Sequence, residues 1–283
     1  MRERIWRIGK RVFDVSRHGL IVGVLNVTPD SFSDGGEFLT TDKAIERGLQ
    51  IAAEGAHIID VGGESTRPGS HPVTADEELQ RVIPVLQELA RKVDVPLSID
   101  TSKAEVARAA IKAGASIVND VTGGRGDAQM LPLVAETKSA FILMHMQGTP
   151  RTMQIQPRYT DVVAEISEFF RQQYARAIGL NIDPMAIAFD PGIGFGKTLE
   201  HNLELLAHLE GLRAHDRALV VGVSRKSFLG KLIGSPEISD RRIAGLALTS
   251  LLRGRGADVL RVHDVKENVY ALQVSEAILQ RAK

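Results

Sequence analysis

The chain has 283 residues, of which 43% are apolar and 25% charged, and its 35 Lys and Arg residues balance its 35 Asp and Glu residues. This is the profile of a folded soluble protein of one large or two small domains. A formal charge of zero provides no global field for nucleic acid or an anionic membrane. The absence of cysteine excludes disulfides, thiolate metal sites and cysteine nucleophiles.

Neither the N-terminus nor any later segment predicts export or membrane insertion. The first 19 residues are basic but have no apolar signal core, so we expect no signal peptide. No apolar run approaches the roughly 20 residues that span a bilayer. We therefore expect a cytoplasmic protein.

The predicted elements begin with a hairpin. Residues 5–15 alternate loosely around Gly9, which predicts two short strands that cover one end of the structure that follows. From residue 20 onward, short apolar runs alternate with segments of helical period. The runs of strand length are residues 21–26, 57–62, 96–100, 116–120, 140–145, 186–190, 218–224 and 259–263.

A helix is expected after each of these strands. Residues 102–113 are an example, because Ser102 and Glu105 form a capping-box pattern and Gly114 follows as a stop signal. A faint internal repeat supports the same alternation, since a glycine precedes an apolar pair each time. The repeats are residues 55–60, 114–119 and 256–261.

Near-continuous apolar strands separated by helices predict a parallel sheet that helices cover. Eight such units in about 250 residues match a closed (β/α)₈ TIM barrel. An open, doubly wound sheet is the alternative. No linker or shift in composition divides the chain, so we predict one domain, residues 1–283, with the short N-terminal β-hairpin in residues 1–18.

Polar residues stand at the carboxyl end of nearly every predicted strand, which is where the active sites of TIM barrels lie. One polar strand end is ordinary, but a ring of them favours a shared site. They are Asn26, Asp60, Asp100, Asn119, Asp120, His145, Asp190, Ser224, Arg225, Lys226, Arg261, His263 and Asp264.

Two kinds of group in this ring indicate the class of ligand. Asp100 and Asp190, helped by Asn119, are suited to accept the paired N–H donors of an amidine-like edge. Basic groups can hold an oxyanion such as phosphate; they are Arg67, Lys226, Arg261 and His263. A flat nitrogen heterocycle that carries a phosphate ester would satisfy both. For Asp60 and Asp264, pairing with a neighbouring Arg or Lys stays open.

The glycine-rich stretch 190–197, DPGIGFGK, follows a predicted strand directly. Its alternating glycines lack Cβ atoms, so we expect the backbone to approach a ligand closely while Asp190 points into the site. The spacing matches neither the phosphate loop nor the dinucleotide fingerprint.

Three loops are longer than plain connections. Residues 28–36 and 62–69 are rich in Gly, Pro and hydroxyl groups, which predicts mobile loops that close over a ligand, with plain surface loops as the alternative. Residues 146–159 have no clear role. No nucleophile elbow and no helical pair of histidines occurs, and a Schiff base at Lys226 stays open.

Seven motifs, in order from about residue 20 to 270, resemble those of the dihydropteroate synthase family. They lie at residues 23–36, 59–69, 98–103, 144–148, 190–197, 222–227 and 261–264. The resemblance implies a pterin-binding TIM barrel that joins a pterin diphosphate to 4-aminobenzoate in folate synthesis. It also implies Mg²⁺, inhibition by sulfonamides and a homodimer. The alternatives are a pterin-binding methyltransferase with a corrinoid partner and a paralogue that binds pterin without catalysis.

Carried over position by position, the resemblance implies three groups of substrate-binding residues. The pterin falls to Asp100, Asn119, Asp190 and Lys226. The diphosphate falls to Asn26 through Mg²⁺, and to Arg67, Arg261 and His263. Val262 is a further expected substrate-binding position. The 4-aminobenzoate falls to Thr66, Arg67, Pro68, Phe195 and Ser224. Among these, Asp100, Lys226 and Arg67 are the expected catalytic residues, and no covalent enzyme intermediate is required.

Overall fold

A computed structural model describes residues 3–28, 37–67 and 69–281. The chain begins with an antiparallel hairpin of β1 (Ile5–Ile8) and β2 (Arg11–Asp14). Ile8 pairs with Arg11, so the turn has two residues, and the first of them, Gly9, has a φ of 57°. A left-handed residue at this point suits the twist of a tight hairpin. The predicted hairpin is confirmed.

Eight parallel strands form a closed barrel in chain order, because the last strand pairs with the first. Each predicted strand is confirmed to within two residues at either end, and closure excludes the open sheet. The strands are β3 (Leu20–Asn26), β4 (Ile58–Gly62), β5 (Leu97–Asp100), β6 (Ile117–Asp120), β7 (Ala140–Met144), β8 (Ile187–Asp190), β9 (Ala218–Gly222) and β10 (Val259–Val262).

Helices follow every barrel strand and cover its outer face. They are α1 (Glu37–Ala53), α2 (Ala75–Lys92), α3 (Ala104–Lys112), α4 (Met130–Thr137), α5 (Val162–Gly179), α6 (Leu199–Ala207), α7 (Ser227–Ile233), α8 (Ile238–Gly254) and α9 (Val265–Leu279). Two helices, α7 and α8, separate β9 from β10. Within the described ranges, no helix combines the length and apolarity that a bilayer crossing requires.

The start of α3 differs from the prediction. The capping box at Ser102 and Glu105 is wrong, because the helix begins at Ala104, after Lys103. The carboxylate of Asp127 accepts a hydrogen bond from the Ala104 N–H at 2.8 Å instead. A side chain from the next βα loop thus satisfies an orphan N–H of the first turn, which a local pattern cannot reveal.

The predicted repeat is confirmed in the backbone. Gly55, Gly114 and Gly256 each follow a helix and each have a positive φ, between 96° and 116°. This conformation favours glycine and turns the chain from the helix into the next strand.

The hairpin closes the amino-terminal end of the barrel. Trp6 and Ile8 are buried among apolar side chains of the lower barrel interior, including Ile142 and Val220. The indole of Trp6 also donates a hydrogen bond to the carbonyl of Ala186 at 3.2 Å. Because this end of the barrel is filled with side chains, the polar strand ends of the candidate site lie at the opposite, carboxyl end.

Candidate active site

Arg261 of β10 connects the polar residues at the carboxyl end of the barrel. Its Nε donates to Asp60 Oδ2 and its Nη2 to Asp100 Oδ2, both at 2.7 Å. Asn119 Nδ2 donates to the same Asp60 oxygen at 3.0 Å. The pairing alternative for Asp60 is therefore confirmed. This wholly buried carboxylate fixes the side chains of Arg261 and Asn119 by accepting a hydrogen bond from each. Four strand ends form one hydrogen-bonded group.

Burial changes the proton affinity of the ring. It raises the pKa of Asp100 to about 7, although Arg261 pulls the other way. Burial likewise raises the pKa of Asp190, against the opposing effect of Lys226, and lowers the pKa of Lys226 to about 8. Asp100 and Lys226 thus titrate near neutral pH, and the pKa of Asp190 is shifted upward beside them; perturbed pKa values of this kind are typical of catalytic and binding sites.

Two buried oxygen atoms next to the ring make no hydrogen bond within the described ranges. Asp60 Oδ1 and Ser98 Oγ are buried and have no hydrogen-bond partner in the described part of the chain. Asp60 and Ser98 are neighbours in the register of β4 and β5. Buried polar atoms are usually paired, so these oxygens mark a place where the protein alone does not complete the network.

The glycine-rich turn after β8 brings a second group of residues to the ring. The Oδ1 of Asp190 accepts a hydrogen bond from the Gly192 N–H at 2.7 Å. Lys226 donates to the carbonyl of Ile193, and its ammonium lies 4.7 Å from the centre of the Phe195 ring. The turn therefore places a carboxylate, a cation and an aromatic face together.

The glycines of this turn serve a different purpose from the one predicted. Gly192 and Gly196 both have a φ of 64°, and an added Cβ would lie 2.0 Å from the carbonyl oxygen of His145 or 2.5 Å from that of Gln147, respectively. The close approach is therefore to the protein's own backbone after β7. These two glycines seat the turn against that segment, whereas Gly194 lies directly beside Lys226, whose Cδ an added Cβ would meet at 3.2 Å.

Residues 146–159, for which the sequence predicts no role, support the same turn. Gln154 Nε2 donates to the carbonyl of Gly194 at 2.6 Å, and the hydroxyl of Tyr159 donates to that of Gly196 at 3.0 Å. Side chains from a neighbouring loop thereby provide hydrogen-bond donors for two backbone carbonyls of the turn. The sequence signal was only the unusual length of the segment.

A buried lysine and histidine support Phe195: the sequence predicts His145 in the ring of strand ends, whereas it assigns no role to Lys197. Lys197 is 2% exposed, and its Nζ donates to the carbonyl of Phe195 at 2.9 Å and lies 3.1 Å from His145 Nδ1. Burial, helped by Lys197, lowers the pKa of His145 to about 2, so its imidazole is neutral and Nδ1 can accept. The pair fixes the backbone that carries the aromatic ring.

The comparison with known proteins decides the family. The sequence profile described as "Pterin binding enzyme" matches residues 22–263. The dihydropteroate synthase of Escherichia coli K12 is 47% identical over 262 residues, which cover 93% of this chain and 92% of that protein. The chain belongs to the dihydropteroate synthase family.

Solved structures of that family have the same fold. The Xanthomonas albilineans dihydropteroate synthase with 4-aminobenzoic acid superposes with a TM-score of 0.91 at 42% identity, covering 98% of this chain and 99% of that one. The Yersinia pestis enzyme in complex with a sulfonamide drug gives 0.90 at 43% identity, covering 99% and 100%. The match thus extends over almost the whole chain.

On the side of β9 and β10, the family motifs form a second hydrogen-bonded group. The His263 N–H donates to Ser224 Oγ at 3.2 Å, and His263 Nδ1 lies 3.1 Å from the same hydroxyl. Burial and the nearby Arg261 lower the pKa of His263 to about 3, so the imidazole is neutral. Arg225 pairs with Asp264, which confirms the pairing alternative for that carboxylate.

Two of the predicted residues lie outside the ring. The side chain of Val262 belongs to the core between the barrel and the helices. Strand alternation explains this, since Arg261 before it points inward. Asp120 accepts hydrogen bonds from the N–H groups of Thr122 and Gly124, both at 2.8 Å, and so holds a turn.

The remaining family positions lie at the rim. Asn26 ends β3 and is partly exposed, Thr66 is half-buried and Arg67 is exposed. The second loop is held to residues 146–159 by a hydrogen bond from the Gly69 N–H to the carbonyl of Pro150, 3.1 Å long. Pro68 and most of the first predicted loop, residues 29–36, lie outside the described residues.

Proposed function

We infer that this chain is an enzyme of folate biosynthesis, which condenses (7,8-dihydropterin-6-yl)methyl diphosphate with 4-aminobenzoate to give 7,8-dihydropteroate and diphosphate. The main evidence is the hydrogen-bonded ring of acidic and basic side chains at the carboxyl end of a barrel that belongs to this family. Sulfonamides are the expected inhibitors, since they bind the Yersinia pestis relative.

The pterin is assigned to the inner ring. Asp190 has one oxygen held by Gly192, which leaves the other to accept a hydrogen bond from the pterin edge. Asn119 uses its amide N–H on Asp60, so its carbonyl oxygen remains as an acceptor. Lys226 supplies a donor on the opposite side. This pattern of acceptors and a donor suits a flat heterocycle with N–H groups and a carbonyl.

The diphosphate is assigned to the basic side of the ring. Arg261 uses two of its five N–H donors on Asp60 and Asp100 and keeps others for an oxyanion. His263 and the exposed Arg67 complete the cationic and polar surroundings, and Val262 would contribute through its main chain because its side chain faces the core.

Mg²⁺ is proposed to enter with the diphosphate. No group of three His, Cys, Asp or Glu suited to a metal occurs in the described ranges. Mg²⁺ commonly uses one or two protein oxygens, substrate phosphates and water, so the single amide oxygen of Asn26 at the rim fits a substrate-borne ion. When bound, the ion would neutralise charge on the leaving diphosphate.

The chemistry follows from these positions. The bond between the pterin methylene carbon and the diphosphate oxygen breaks, and diphosphate takes the electron pair. The carboxylate of Asp100 stabilises the resulting pterin cation, and Lys226 orients the ring. The amine of 4-aminobenzoate, bordered by Thr66, Arg67, Pro68, Phe195 and Ser224, then forms the new C–N bond. Its proton passes to diphosphate or solvent.

One assay tests the function. The purified chain with both substrates and Mg²⁺ should form dihydropteroate and diphosphate in equal amounts, as measured by chromatography. Lack of product under these conditions would exclude the proposed reaction. Borohydride treatment separates a competing chemistry: the pKa of Lys226, lowered to about 8, would permit a Schiff base, but we expect no trapped adduct.

Three broader assignments stay predictions: a single domain, a cytoplasmic location and a homodimer. The homodimer has some support, because large apolar side chains are exposed on the packed pair α8 and α9. They are Ile238, Ile243, Leu251, Tyr270, Val274 and Ile278. Analytical ultracentrifugation would measure the oligomeric state, and cell fractionation would measure the cellular location.

A further inference from the structure

A three-residue ion cluster lies beside the ring and takes no part in the chemistry above. It consists of Glu64 of the β4–α2 loop, Glu78 of α2, and Lys103, which precedes α3. The Nζ of Lys103 lies 2.6 Å from Glu78 Oε2 and also donates to Glu64 Oε2. Each member is close in sequence to a proposed site residue: Glu64 precedes Thr66 by two positions, and Lys103 follows Asp100 by three.

Lys103 is fixed by its buried partner. Glu78 has no exposed surface, and its Oε1 has no hydrogen-bond partner in the part of the chain that the structure describes. Withdrawing Lys103 would leave a buried carboxylate uncompensated, which is strongly unfavourable. Burial favours the neutral amine, but the hydrogen bonds to Glu64 and Glu78 prevail and raise the pKa of Lys103, so it stays charged.

Glu64 therefore pairs with the ammonium group of Lys103, whose position is fixed by Glu78. The side chain of Glu64 is 20% exposed, so its pair with Lys103 is only partly screened by solvent. Other contacts of the same loop involve the main chain: Arg81 donates to the carbonyl of Gly63 at 2.8 Å, and Ser70 Oγ donates to that of Arg67 at 2.8 Å. Glu64 supplies the ionic link from this loop to the segment after β5.

We propose that Glu64 is a positioning residue: through Lys103 it holds the Thr66–Arg67 segment at the spacing from Asp100 that 4-aminobenzoate requires. The proposal rests on the proposed function. Holding two reactants in a defined geometry supplies much of the rate of a bimolecular reaction, and a small displacement of a binding group is costly.

Glu64→Gln tests the proposal, because it keeps the volume of the side chain and leaves the Lys103–Glu78 pair intact. Loss of one partly exposed, charge-assisted contact should raise KM for 4-aminobenzoate roughly three- to tenfold. The dissociation constant of the pterin diphosphate and the melting temperature should stay unchanged. Lys103→Met is less informative, since it would strand Glu78 and destabilise the fold.

Arg108→Met is the matched control. It removes the ion pair between Arg108 of α3 and Glu136 of α4, and both of these side chains are exposed. This variant should keep the wild-type KM for 4-aminobenzoate. An unchanged KM in Glu64→Gln would overturn the proposal, as would a parallel loss of pterin affinity and melting temperature, which would indicate a purely structural role. Inactivity of the wild-type chain would instead refute the proposed function.

Discussion

A buried Asp pairs with Arg side chains at each end of the barrel, but the surroundings of the two carboxylates differ. At the amino-terminal end, Asp258 accepts hydrogen bonds from Arg4 and Arg213, each at 2.7 Å, and from the Leu219 N–H at 3.1 Å. At the carboxyl end, Asp60 Oδ1 has no partner in the described ranges, and burial raises the pKa of Asp100. The first end completes its own network, whereas the second keeps a buried carboxylate oxygen without a partner within those ranges. Under the proposed function, similar residue pairs serve stability at one end and substrate binding at the other.

The largest expected effect concerns the amino-terminal end. Asp258→Asn should lower the free energy of unfolding by about 3–5 kcal/mol, because the buried Arg4 and the partly buried Arg213 lose their counter-charge. Urea unfolding measures the change. Glu136→Gln, which removes an exposed ion pair, should have little effect. The folded fraction of Asp258→Asn should keep its pterin affinity, and a selective loss of that affinity would contradict the division between the ends.

Asp190→Asn should show the opposite behaviour. The amide oxygen can keep the hydrogen bond from Gly192, but the amide NH₂ would face a pterin N–H. Pterin affinity should therefore fall at least about tenfold, since a mismatched buried donor costs on the order of 1–3 kcal/mol. Calorimetry measures the affinity, and the melting temperature should change little. Unchanged binding would refute the assignment of Asp190 to the pterin edge.

The pH dependence of kcat/KM should reflect the protonation states of Asp100 and Lys226 in the ring. Asp100 must be ionised and Lys226 protonated, and their pKa values are about 7 and about 8. The rate should therefore fall as the pH drops below 7, because Asp100 gains a proton, and as it rises above 8, because Lys226 loses one. One unit below the lower value the rate should be roughly a seventh of its maximum.

A variant separates the two limbs of this profile. Lys226→Arg retains a positive charge at high pH, so any remaining activity should lose the decline above pH 8 and keep the decline below pH 7. A variant profile identical to that of the wild type would show that Lys226 does not set the basic limb.

The smallest effect expected is a coupling between the two substrate sites. Arg67 is exposed at the rim, so diphosphate with Mg²⁺ should order its loop and favour binding of 4-aminobenzoate. The affinity for 4-aminobenzoate should rise at least roughly fivefold, which corresponds to about 1 kcal/mol. Titrations with and without diphosphate and Mg²⁺ measure it. Arg67→Ala should weaken the coupling and spare pterin affinity, whereas equal wild-type affinities would mean that the pocket is preformed.

Most of the fold could be predicted from the sequence because its signals are local. Apolar runs of strand length and the glycines at positions 55, 114 and 256 recur with a regular spacing, and each was confirmed. The capping box at Ser102 failed because Asp127, 23 positions from Ala104, supplies the cap. The glycines after Asp190 were recognised, but their partner was misjudged, because the contact with the segment after β7 exists only once two strands are adjacent.

By itself the sequence determined the eight strands, the end of the barrel at which polar groups gather and the family to which they belong. These properties depend on periodicity and on motifs along the chain. Only the tertiary structure decided which partners those groups have: Arg261 joins Asp60 and Asp100, and Lys103 joins Glu64 and Glu78. Their pKa shifts arise from burial and from charges far apart in sequence, so they come into being only when the barrel closes.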